Sequence, residues 1–147
     1  MYKHLLVPTD GSALSQRAAR DAVRLAAAFG ARITALFVAP PPTPVVYEDF
    51  IPASYMTTED HKAAIAKAAA KFLGSIEREA AAAGVPFEGL RVTGEYPAEA
   101  IVETAKKSKC DLIVMASHGR HGVKALLLGS ETAKVLSHSK IPVLVHR

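Results

Sequence analysis

This sequence predicts an α/β protein of a single domain, an open parallel sheet with helices on both faces, and three observations carry the prediction. Short apolar runs alternate with longer segments of helical period from one end of the 147-residue chain to the other. The apolar runs are nearly continuous, as strands buried on both faces require. No internal repeat or shift of composition marks a second domain, and a chain of this size buries roughly two-thirds of the surface that its unfolded form exposes.

Leu5-Leu6-Val7 is predicted as the first strand, stopped by Pro8-Thr9-Asp10-Gly11. Leu14, Ala18, Ala22, Leu25 and Phe29 recur at steps of three or four, the stripe of a helix packed on a sheet, and Gly30 closes it. Ile33 to Val38 makes a second strand. Ile65, Ala69, Phe72, Ile76 and Ala80 mark a second helix, opened by Thr57 or Thr58 with Glu59 and Asp60 in its first turn and closed by Gly84. Phe87 to Val92 is a third strand, Pro97 to Lys107 a third helix, and Leu112 to Met115 a fourth strand. A fourth helix begins near Gly129-Ser130 and runs to about His138, and Pro142 to Val145 makes a last short strand. Strands that alternate with helices in this way lie parallel and are joined by right-handed crossovers. Ligands of such sheets sit beyond the carboxyl ends of the strands, where the strand order reverses. If the first and fourth strands are neighbours, Thr9-Asp10 and Ala116-Ser117 flank one crevice.

One break interrupts the alternation. Ala39 to Met56 is proline-rich, longer than a routine connection, and carries Tyr47, Phe50 and Tyr55. Two readings stand, a surface insertion whose apolar residues pack back on the domain and a lid or partner-contact segment.

Composition narrows the function classes. Net charge is +4, yet the basic residues are scattered at helical spacing (Arg17, Arg20, Arg24; Lys62, Lys67, Lys71), the pattern of solvated helix faces. Lys106-Lys107-Ser108-Lys109 falls at a predicted helix end, where cations complement the macrodipole. No nucleic-acid partner is expected. The single cysteine, Cys110, sits beside the Leu112 run and reads as a small buried hydrophobe in a reducing compartment. Met1 to Pro8 offers only three consecutive apolar residues, too few for a signal peptide, and nothing approaches a membrane span. A cytoplasmic protein without a membrane partner is expected.

The fourth strand empties into ASHGRHGVKALLLGS, Ala116 to Ser130. A phosphate needs donors that approach closely, and glycine supplies exposed N–H groups and access to positive φ. Gly119 and Gly122 suit that task. Ser130 can cap the fourth helix or turn its hydroxyl onto a phosphate, beside the first free N–H groups of that helix. Neither G-x-x-x-x-G-K-[ST] nor G-x-G-x-x-G occurs, so the two commonest phosphate loops are excluded. His118 and His121 have no carboxylate or cysteine beside them in the loop and read as solvated or phosphate-facing residues, so no metal is expected. Arg120 and Lys124 either reach phosphates or stay in water. Ser12 and Ser15, with Arg17 and Asp21, form no pair with a histidine visible in sequence, and a triad is unsupported.

HLLVPTDGS near the start, DLIVMASHGRHGVKALLLGSETAKVL and the closing IPVLV, in this order and spacing, resemble the universal stress protein family over essentially the whole chain, 1–147, and in particular its ATP-binding branch. The resemblance implies a Rossmann-like, adenine nucleotide alpha hydrolase-like sheet of five parallel strands with the first and fourth adjacent. It implies that Pro8, Thr9 and Asp10 lie beside the adenosine, with Asp10 on adenine or ribose, and that Val38 offers main-chain hydrogen bonds to adenine. Met115 and Ala116 would line the ribose side. Gly119, Gly129 and Ser130 would hold phosphates, with the amides of Glu131 and Thr132 added and His118 and Arg120 nearby. Where the family motif has its first glycine, this chain has Ala116. A backbone requiring positive φ there would cost about 1 kcal/mol or more, whereas negative φ makes the change nearly silent.

Three functional readings follow. The leading one is a stress-response regulator whose crevice takes ATP or AMP, with Mg²⁺ possible beside the triphosphate, and which offers a changed surface to protein partners. The second is a slow ATPase or phosphotransferase. No acidic residue lies between Ala116 and Ser130 to place Mg²⁺ or orient water, so turnover is expected to be slow or absent and no catalytic residue is assigned. The third is an interaction protein that has lost the nucleotide, against which Gly119, Gly129 and Ser130 argue. Pro142 at the start of a short last strand suits a sheet edge. The family commonly pairs through this strand, which implies a homodimer centred on Val143 to Val145.

Overall fold

The computed structural model describes residues 1–41, 58–120 and 128–147. The elements run β1 (His4–Pro8), α1 (Ala13–Phe29), β2 (Arg32–Ala39), α2 (Thr58–Ala82), β3 (Phe87–Thr93), α3 (Pro97–Lys107), β4 (Leu112–Ala116), α4 (Ser130–His138) and β5 (Val143–His146). All five strands pair in parallel, in the order β3-β2-β1-β4-β5. The expected neighbours β1 and β4 are therefore adjacent, and the strand order reverses between them. Thr57, Tyr47, Phe50 and Tyr55 lie outside the described residues, as do His121, Gly122 and Lys124.

Alternation along the strands divides the core into two layers. Leu5, Val7, Ile33, Ala35, Leu112 and Val114 face α1 and α2, where Ala19, Ala22, Val23, Ala26, Ile76 and Ala80 meet them. Leu6, Leu36, Ile113 and Met115 face α3 and α4, against Ala98, Ile101, Val102, Ala105 and Val135. The alanine-rich inner face of α1 lets that helix lie close on the sheet. Ser12 caps α1 by accepting the Ser15 N–H, and Gly30 ends it in the left-handed conformation at φ 64.

Two expectations need correction. Continuous apolar character holds for the central strands but fails for β3, where Glu88, Gly89, Arg91 and Thr93 are exposed. An edge strand has one neighbour and less cover, so its outer positions meet water. The last strand begins at Val143, one residue after Pro142. Proline has no N–H for the ladder, but the Pro142 carbonyl accepts the Ile113 N–H at 2.9 Å, so it leads into the strand from outside it.

Candidate functional site

The crevice opens where β1 and β4 end. Thr9 donates its main-chain N–H to the Leu36 carbonyl at 2.9 Å, the last tie of β1 to β2. Its buried hydroxyl meets Ser15 Oγ at 3.1 Å and accepts the Gly11 N–H at 3.2 Å. Thr9 thus shapes the turn, while Pro8, the half-buried last residue of β1, ends the strand before it.

Asp10 stands at the centre. Its Oδ1 accepts the Ser12 N–H at 2.9 Å and its Oδ2 accepts the Arg120 N–H, from the loop after β4, at 2.8 Å. Burial pushes this carboxyl up, but hydrogen bonds from Ser12, the Arg120 main chain and Ser15 outweigh it and hold the group below the ordinary carboxylate range. Asp10 is a fixed anion whose remaining lone pairs are available to hydroxyl or amine donors.

Gly119 lies against that carboxylate, and a Cβ placed on it would be 2.5 Å from Asp10 Oδ2. Among the described glycines only Gly11, Gly30 and Gly84 have positive φ, so the requirement at Gly119 is space rather than a left-handed backbone. Ala116 likewise keeps strand geometry, because Lys109 is the one described non-glycine residue with positive φ. Its methyl packs with Leu14 and Ala18 of α1, and the departure from the family glycine carries no backbone penalty.

The far wall is the first turn of α4. Gly129 is its N-cap and gives its N–H to the Ser117 carbonyl at 2.7 Å, while a Cβ on Gly129 would come 3.0 Å from His118 Cα. Ser130 is the first helical residue and does not cap, which corrects one of its two expected roles; its exposed hydroxyl and N–H remain for a ligand. The N–H groups of Ser130, Glu131 and Thr132 precede the first intrahelical bond, from Ala133 N–H to Gly129 C=O. The Thr132 hydroxyl donates to the Ala116 carbonyl at 2.9 Å and locks α4 to the end of β4. The Glu131 carboxylate accepts the Ala98 N–H at 2.9 Å and pairs with Lys134 at 3.2 Å, so it serves the N-terminus of α3.

At the end of β2, the Leu36 carbonyl bonds toward β1 and the Ala39 carbonyl accepts Gly94 N–H toward β3. Alternation in a parallel ladder then turns the main-chain groups of Val38 toward β1, past the last β1 pair, Pro8 with Leu36. Met115 is buried in the layer shared with α3 and α4. His118 Nδ1 meets Ser117 Oγ at 3.2 Å. The Arg120 guanidinium lies over the Phe72 ring, 5.3 Å from its centroid. Phe72 was invisible as a site residue, because its place in the apolar stripe of α2 reads as core. Among the described residues no cluster of three His, Cys, Asp or Glu side chains is placed to hold a metal ion. Burial pushes the Cys110 thiol up to about 11, which makes it an inert packing group.

This order of strands and this crevice define a doubly wound α/β protein, a class whose ligand sites lie at the switch point beyond the strand ends. The chain belongs to the universal stress protein family, whose model matches residues 1–147. Universal stress protein MJ0531 of Methanocaldococcus jannaschii is 34% identical to it over 154 residues, covering 99% of this chain and 82% of the relative. The structure of hypothetical protein MJ0577 superposes with a TM-score of 0.78 at 30% identity, covering 99% of this chain and 96% of the other. A universal stress protein crystallised in complex with cAMP superposes at 0.70 with 31% identity, covering 98% and 95%.

Proposed function

We propose that this chain is an adenine-nucleotide-binding stress-response regulator of the cytoplasm, taking ATP or AMP in the crevice between β1 and β4. One observation carries the reading: Asp10, Gly119 packed against its carboxylate and the first-turn N–H groups of α4 lie together at the switch point. Pro8, Thr9 and Asp10 frame the nucleoside, Val38 offers main-chain groups to adenine, and Met115 and Ala116 back the ribose. Gly119, Gly129, Ser130, Glu131 and Thr132 present amides to phosphate, where the helix dipole contributes about 0.3–1 kcal/mol, up to about 2 when partly buried. The cAMP complex of a relative 31% identical supports the ligand class.

Both nearby carboxylates are engaged, Asp10 by two main-chain N–H groups and Glu131 by Ala98 and Lys134. Asp10, held below the ordinary carboxylate range, is a weak base, and Glu131 is committed to α3, which favours a binding protein over an ATPase. Mg²⁺ would enter with the triphosphate rather than on a protein cluster. The protein pairs with a second copy through β5, an edge strand on which Leu144 is 40% exposed.

Isothermal titration of nucleotide-stripped protein with ATP and with AMP, with and without Mg²⁺, tests the reading beside a Gly119→Val control. Saturable binding, weakened at least about tenfold in the control because the side chain meets Asp10, is expected. Absence of binding by the unaltered chain would overturn the nucleotide reading and leave an interaction protein.

A further inference from the structure

Three elements that are distant in sequence meet on the outer side of Asp10. Gly11, at φ 78, leaves open the space a Cβ would take, and the tip of the Phe72 ring fills it. Phe72 is itself braced by Phe37 of β2, with ring centroids 6.0 Å apart. The ring also carries the Arg120 guanidinium at 5.3 Å, and the main-chain N–H of the same Arg120 is bonded to Asp10 Oδ2. The side chain of Arg120 is thereby anchored on α2 while its backbone fixes one oxygen of the carboxylate. The other oxygen is fixed by the Ser12 N–H.

We infer that Phe72 and Arg120 are positioning residues for the sugar of the ligand: stacking of the guanidinium on the ring holds Gly119 and the Arg120 main chain against Asp10 and sets the plane in which the carboxylate meets the ribose hydroxyls. The inference rests on the nucleotide reading above. It differs from a role for Arg120 as a phosphate ligand, because a cation on the phosphate would strengthen every adenine nucleotide alike. A carboxylate held in register strengthens only those that carry the hydroxyls. Fixing an acceptor before the ligand arrives spares the cost of ordering it on binding.

The test compares titration of adenosine monophosphate with its dideoxyribose analogue, which lacks both sugar hydroxyls, for the unaltered protein and for Arg120→Gln, Arg120→Lys and Phe72→Leu. Arg120 is exposed, so its substitution does not threaten the fold, and thermal melting checks Phe72→Leu. The expected result is that Arg120→Gln and Phe72→Leu weaken adenosine monophosphate about fivefold while leaving the analogue within about twofold, and that Arg120→Lys, which keeps a cation over the ring, restores the difference. Equal losses for both ligands would overturn the inference in favour of phosphate contact, and no loss for either ligand would overturn it outright. An unaltered protein that binds neither ligand would overturn the nucleotide reading and this inference with it. One that binds both equally would overturn the sugar contact alone.

Discussion

Ala116 ends β4 with its methyl group against Leu14 and Ala18, and its backbone stays in strand geometry. Ala116→Gly is therefore expected to leave nucleotide affinity unchanged while costing about 0.5–1 kcal/mol of stability, read from the urea midpoint. His4 gives a second test at this scale. It is 4% exposed, with Nε2 2.7 Å from Thr34 Oγ1, and burial followed by the Arg32 guanidinium lowers its pKa below the ordinary 6.5. Between that lowered value and 6.5 the unfolded chain binds more protons than the folded one, so stability rises with pH in this window and is lost as pH falls through it. Unfolding in urea from about pH 7 to about pH 5 should show this slope, and His4→Gln should flatten it. The sequence singled out Asp10 and Gly119, and the fold brings them into contact at the ends of β1 and β4. It did not expose why Gly119 must be small, since the reason is a carboxylate more than a hundred residues away.

Among the elements, the turn from α3 into β4 holds the one non-glycine residue of positive φ among the described residues. Lys109 sits at φ 55, where its Cβ crowds the following carbonyl, after the carbonyls of Lys106 and Ala105 have accepted the N–H groups of Lys109 and Cys110. Lys109→Gly should raise stability by about 0.5–1 kcal/mol, measured by urea unfolding, with no effect on ligand binding. The helices were legible because each writes its period and its stops into its own residues, as Leu14 to Phe29 with Gly30 do. What local pattern could not reveal is the join between elements. Glu131 looks like an ordinary first-turn acid of α4, yet it caps α3 by accepting the Ala98 N–H.

For the whole molecule, the sheet has two edges, β3 and β5, and they differ. β3 presents Glu88 and Arg91 to water, whereas β5 presents Leu144. Charged side chains blunt an edge, and an apolar short strand invites pairing. Leu144→Lys is accordingly expected to convert the proposed dimer to a monomer in size-exclusion light scattering at micromolar concentration, with the fold retained. A monomeric mass for the unaltered chain would overturn the dimer. Among the described residues, no helix is long and apolar enough to cross a membrane.

The sequence by itself determined the order of strands and helices, their approximate limits and the glycine-rich outlet of β4, because hydrophobic period, caps and breakers act through each residue's own backbone. Only the tertiary structure decided that β3 is the second edge, that Arg120 gives its N–H to Asp10 across 110 positions, and that Phe72 of α2 belongs beside the crevice. Those contacts join residues with no local relation. They arise when parallel strands bring the loops at their carboxyl ends together, and a packing geometry of that kind has no period to read along the chain.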